Sequence, residues 1–150
     1  MKTLIIGYGN PLRGDDGAGW HAVERLRDAL GDREDVELQA LHQLTPELAE
    51  TLAHFDRAIF IDAGVPDENA PPGTLTHRTL TPAGVAATTL HHFTPEKLLR
   101  WTGDLYGAEP EAVLFVVTGE RFAFEETLSP PVEDAIVSLV SRISDLLRES

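Results

Sequence analysis

The sequence predicts an α/β three-layer sandwich: a mostly parallel five-stranded sheet with helices on both faces. Three observations carry this expectation. Short apolar runs alternate with stretches of helical period in the order βαβαββαβα. Two of the runs, 57–63 (RAIFIDA) and 112–117 (AVLFVV), are nearly continuous in apolar residues, as strands covered on both faces must be. No repeat, low-complexity tract or Pro/Gly/Ser-rich linker interrupts the series, so residues 1–150 are expected to form one domain.

Each element has its own signal. Residues 2–7 (KTLIIG) form a short β-branched run that enters a turn at Gly7, Gly9 and Asn10. From Asp15 the period becomes helical, with Trp20, Val23, Leu26 and Leu30 on one face until Gly31 stops it. Residues 35–40 (DVELQA) alternate as a second strand. Thr45, Pro46 and Glu47 then open a short helix carrying Leu48, Leu52 and Phe55. The third strand, 57–63, brings Asp62 to its end. A turn-rich loop from Pro66 to Gly73 leads to an alternating stretch, 74–80, expected at a sheet edge. Residues 81–94 show no period and end in Leu90, His91, His92 and Phe93 before Pro95 starts a third helix with Leu98, Leu99 and Trp101. After the fifth strand, Ser129 caps a final helix whose stripe is Val132, Ile136, Leu139, Val140, Ile143, Leu146 and Leu147.

Composition removes several classes of function. Twelve Lys+Arg against 25 Asp+Glu give a net charge of −13, with Lys2 and Lys97 the two lysines, so phosphate-driven nucleic-acid binding is not expected. The chain has no cysteine, which rules out disulfides, protein thiolate metal sites and a cysteine nucleophile and fits a cytoplasmic location. No stretch approaches the ~20 apolar residues of a membrane span, and residues 1–7 are too short a run for a signal peptide. The serines, at 129, 138, 141, 144 and 150, sit in or around the last helix, and no G-x-S-x-G elbow is present.

The remaining chemistry lies in acids and imidazoles. The glycine-rich segment 7–19 follows the first strand as a dinucleotide loop would. Leu12 stands where the third glycine should be, however, and Asp15 and Asp16 at the helix start would repel a phosphate. These two acids either cap the helix or do chemistry. If the first and third strands are neighbours, Asp16 and Asp62 converge in the crevice at the strands' C-terminal ends. Two carboxylates placed together must share a proton, take a basic neighbour or hold a cation. One of His91 and His92 is a suitable third ligand for zinc or nickel, adjacent residues usually pointing apart. His42, at the end of the second strand, lies on the crevice side and is an expected substrate contact.

The opening Gly7-x-Gly9-Asn10-x-Leu12-x-x-Asp15-Asp16-Gly17-x-Gly19, Asp62 after an apolar strand, a histidine before a Leu-rich helix and Leu128-Ser129-Pro130 before the last helix resemble the hydrogenase maturation endopeptidases. That family trims the C-terminus of the nickel-iron hydrogenase large-subunit precursor, and the match spans nearly the whole chain. The resemblance implies a peptidase, usually classed as aspartic-type, whose partner is that precursor and whose nickel is supplied by the substrate, with no organic cofactor. It implies that Asp16, Asp62 and His91, with His92 as the alternative to His91, bind the nickel and carry catalysis, and it makes Asn10, Asp15, His42 and Gln43 expected substrate contacts. Many relatives carry Glu where Asp16 stands, and Gly-Gly-Thr where His42, Gln43, Leu44 and Thr45 stand. A non-catalytic nickel checkpoint and a general peptidase of the same fold are the alternatives.

Overall fold

The computed structural model describes residues 1–82 and 93–149. Five strands form one sheet: β1 (Thr3–Tyr8), β2 (Val36–Leu41), β3 (Arg57–Gly64), β4 (Leu75–Thr79) and β5 (Glu111–Thr118). The spatial order is β2-β1-β3-β5-β4, parallel except for the edge pair β4·β5. The helices are α1 (Ala18–Leu30), α2 (Leu48–Leu52), α3 (Pro95–Tyr106) and α4 (Pro130–Arg148). The α/β sandwich read from the sequence is therefore the observed one, including the edge position of β4.

Strand alternation builds the two cores. Ile5 of β1, Ile59 and Ile61 of β3, and Phe115 and Val117 of β5 face α1 and α4, where they meet Ala22, Leu26, Ile136, Leu139 and Ile143. Leu4 and Ile6, Ala58 and Phe60, and Ala112 and Leu114 face α2 and α3, against Leu48, Leu52, Leu98 and Leu99. The three central strands are thus apolar on both sides, which explains their uninterrupted runs.

Two boundaries differ from the sequence reading in ways that matter for the site. β1 continues one residue past Gly7 to Tyr8, so Tyr8 joins Leu4 and Ile6 on the face toward α2 and α3. The first helix does not begin at Asp15: a 3₁₀ turn over Gly14–Gly17 precedes α1 and turns the side chains of Asp15 and Asp16 into different surroundings. Ser129 stands at the N-cap of α4 as expected, yet its hydroxyl makes no cap bond and donates to Asp15 Oδ2 instead.

Candidate active site

The register of β1 against β3 pairs Gly7 with Ile61, and the next step along both strands brings Tyr8 beside Asp62 on the α2–α3 face of the sheet. The phenol and the carboxylate lie near enough to shift each other's protonation, the phenol on the donor side. Asp62 Oδ1 accepts from the backbone N–H of Ala63 at 2.8 Å. Burial pushes the Asp62 carboxyl up to about 6; the hydrogen bond from Ala63 and the nearby Tyr8 hydroxyl oppose this, and the charge of Asp16 adds to it. The Tyr8 hydroxyl is also pushed up, first by burial and then by the charge of Asp62.

Asp16 reaches the same place from the loop after β1. Its Oδ2 accepts from the backbone N–H of Asn10 at 2.8 Å, and its own N–H donates to Arg13 O at 3.1 Å, so the carboxylate is pinned by its own loop. Gly9 makes this possible. Its φ is +141°, and a Cβ there would lie 2.2 Å from the carbonyl oxygen of Asp16. Asp16 and Asp62 line one open cleft together with Tyr8, Gly9, His42, Gln43, Leu44 and Phe93. A second depression continues from Tyr8, Asp62 and Phe93 past Arg78, Thr94 and Glu96. The cleft opens beyond the C-terminal ends of neighbouring parallel strands, where doubly wound sheets hold their ligands.

The structure brings four of the sequence-predicted residues into the cleft: Asp16, Asp62, His42 and Gln43. Asn10 shapes the loop, its Oδ1 accepting from Leu12 N at 2.9 Å. His91 and His92 lie outside the described residues. Among the described residues, no group of three His, Asp or Glu side chains is placed to hold a metal.

Asp15 is a correction. It is 0% exposed and cannot contact a substrate. Its Oδ2 accepts from the N–H of Glu120 (2.7 Å), the N–H of Arg121 (2.9 Å) and the hydroxyl of Ser129 (2.7 Å), and its Oδ1 from the N–H of Ser129 (2.8 Å). Burial alone would raise its pKa, but these four bonds outweigh it and hold the carboxyl below its usual value. A carboxylate so saturated is a structural clasp. It ties the loop after β1 to the segment between β5 and α4.

Tyr8, Leu44, Phe93 and Trp20 were not among the sequence candidates. Trp20 reads as a core residue of the helix, yet it is half-buried and its Nε1 donates to both Gly9 O and Leu41 O at 3.0 Å. It thereby joins the ends of β1 and β2 under the cleft, with His42 set edge-on against its ring at 5.5 Å. Tyr8 was legible from alternation, since positions 4, 6 and 8 share a face with 58, 60 and 62 once Gly7 is allowed inside the strand.

No protein-family model matches the chain. A hydrogenase 2 maturation protease of Escherichia coli (strain K12) is 30% identical over 159 residues, which cover 100% of this chain and 93% of the relative. The structure of the hydrogenase maturating endopeptidase HybD from E. coli superposes with a TM-score of 0.78 at 27% identity, covering 99% of this chain and 93% of that one. A hydrogenase 2 maturation peptidase from a Thaumarchaeota archaeon gives a TM-score of 0.72 at 26% identity, with 98% of each chain covered. Full-length similarity of sequence and fold, together with the paired acids at the sheet's end, makes this chain a peptidase that belongs to the hydrogenase maturation protease family.

Proposed function

We propose that the protein removes the C-terminal extension of a nickel-iron hydrogenase large-subunit precursor in the cytoplasm after nickel insertion, and that it recognises the nickel already in the substrate. In this reading Asp16, Asp62 and His91, or His92 in its place, complete the coordination of a nickel ion held by the precursor's cysteine thiolates, which sets the scissile bond beside the metal. The observation that supports it is the presence of Asp16 and Asp62 in one cleft, each with one oxygen fixed by a backbone N–H of its own loop or strand. Carboxylates held this way present a preset pair of hard oxygen donors. Two oxygens and one imidazole without thiolates make a weak nickel site alone, so tight binding would require the substrate's ligands. His42 and Gln43, at the cleft rim, would contact the chain on either side of the bond. Before substrate arrives the Asp62 carboxyl lies near 6, so close to neutral pH it is largely ionised and ready to meet the metal.

A second reading is favoured by the charge of Asp16 acting on Asp62. Two acids coupled this way can share a proton and act directly as an aspartic dyad, with no metal in the chemical step. Incubation with nickel-loaded and nickel-free precursor, followed by weighing the products, tests both. The expected result is shortening of the nickel-loaded form only. Equal cutting of both forms would remove metal reading and leave the dyad. His91→Ala and His92→Ala, assayed separately, identify the imidazole: the variant that stops processing while keeping its far-ultraviolet spectrum carries the ligand.

A further inference from the structure

The loops that follow β1, β3 and β5 each expose one large apolar side chain: Leu12 at 41%, Val65 at 78% and Phe124 at 85%. These strands are neighbours in the sheet, so the three loops leave the same edge as Asp16 and Asp62. The loops are also joined to one another. Glu125 N donates to Leu12 O at 3.0 Å and Gly14 N to Glu125 O at 2.7 Å, with Arg13 and Glu125 in bridge register, which sets Phe124 alongside Leu12. Gly119 N donates to Gly64 O at 2.9 Å, one residue before Val65. The Asp15 clasp then fastens Glu120, Arg121 and Ser129 to the loop that carries Asp16. A phenylalanine held out of the core on a cross-linked loop forgoes about 2 kcal/mol of burial, and exposed apolar groups gathered at one end of a sheet point to a protein contact site.

We propose that Leu12, Val65 and Phe124 form a docking platform for the folded body of the protein substrate. The platform rests on the reading of the chain as a precursor-processing peptidase. Its continuity with the cleft argues for this occupant, since residues 10–16 carry Leu12 on the platform and Asp16 in the cleft. A peptidase that trims one end of a folded protein must seat that protein's surface at the cleft mouth while the end enters. The loops that carry the platform hold Asp67, Glu68, Glu120, Glu125 and Glu126 against Arg13 and Arg121, with Arg121 facing Glu120 at 4.0 Å, a net acidic rim that asks for a partner surface apolar at its centre and basic at its edge.

The test is steady-state processing of the nickel-loaded precursor by the wild type, Phe124→Asp, Val65→Asp and a control, Val137→Asp, on the exposed side of α4. The expected outcome is a KM at least ten-fold higher for Phe124→Asp and Val65→Asp, with kcat within two-fold of wild type and the control unchanged. A KM within two-fold of wild type for both platform variants would overturn the proposal, as would an equal rise in the control. A wild-type dimer that Phe124→Asp converts to monomer at unchanged KM would assign the platform to a second copy of the chain, against the proposal. Failure of the wild type to cut the precursor would instead refute the functional reading itself, so the two failures are separable.

Discussion

Asp15 and Asp62 are both withdrawn from water, and their surroundings move them in opposite directions. The clasp around Asp15 holds its folded pKa below the unfolded value, so its contribution to stability is present above the ordinary carboxylate pKa and is lost as pH falls through the lowered one. Asp15→Ala strands the buried N–H and hydroxyl of Ser129 and the part-buried N–H groups of Glu120 and Arg121; a loss of about 3 kcal/mol is expected, read as a lower urea midpoint. Asp62 behaves the other way. Its carboxyl is raised from 3.8 to about 6, so the folded state binds the proton more tightly, and stability declines as pH rises between those values and stays low above them. About two pKa units correspond to ~2–3 kcal/mol. Asp62→Asn is therefore expected to raise Tm at pH 7.5, to leave it nearly unchanged at pH 3, and to lower processing at least 100-fold. A variant less stable than wild type at pH 7.5 would contradict the assigned penalty. The separate places of the neighbouring acids Asp15 and Asp16, one in the clasp and one in the cleft, have no local sign in the sequence. Asp15 and Asp16 are consecutive at a helix start, and their separate fates depend on the segment at 119–129, more than one hundred residues away.

At the scale of elements, α1 lies against the sheet without side chains between them at one point. A Cβ on Gly19 would come within 2.7 Å of Tyr8 N and 2.8 Å of Ile61 O, so the helix contacts β1 and β3 through backbone. Gly19→Ala is expected to cost about 3 kcal/mol, the upper end of overpacking, because neither neighbour is a movable side chain. Trp20 then ties this helix to the ends of β1 and β2. Trp20→Phe keeps an aromatic ring, though a smaller one, and removes the N–H shared by Gly9 O and Leu41 O; a loss of about 1–2 kcal/mol and a higher KM are expected from urea titration and processing kinetics. Unchanged KM would show that the cleft loops do not depend on the indole. The elements themselves were legible because their signals are local. Gly31 stops α1, Pro95 opens α3 after Thr94, whose side chain accepts from Lys97 N, and uninterrupted apolar runs mark the central strands. Strand ends were less legible. Gly7 reads as a turn residue although the sheet continues to Tyr8, and that single residue supplies the hydroxyl beside Asp62. The hydrogen bonds of Trp20 were hidden for a different reason: a helical period reports which face is apolar, not where an indole N–H finds its acceptor.

The whole molecule carries 25 acids against 12 Lys and Arg, and this imbalance acts on stability as well as on partners. Several of its cations are engaged at short range, in pairs such as Arg25–Glu133 between α1 and α4, Arg33–Asp35, Arg78–Glu96 and Arg100–Asp104. These pairs sit at the surface, where each contributes about 0–1 kcal/mol and weakens with salt. The surplus of 13 negative charges has no such compensation within the chain and repels over distances comparable to the Debye length, ~30 Å at 0.01 M and ~8 Å at 0.15 M. Screening therefore removes more long-range repulsion than short-range attraction. Tm is expected to rise by several degrees between 0.01 M and 0.15 M sodium chloride at pH 7.5, with most of the gain below 0.1 M, where the Debye length changes most. Sodium chloride is preferred over sulfate for this measurement, because sulfate also strengthens apolar burial through exclusion from the surface. At pH 4.5, with much of the acid surplus protonated, the same salt step should move Tm far less. A Tm that falls with salt at pH 7.5 would mean that the surface pairs, not the unpaired acids, dominate the electrostatics of the fold.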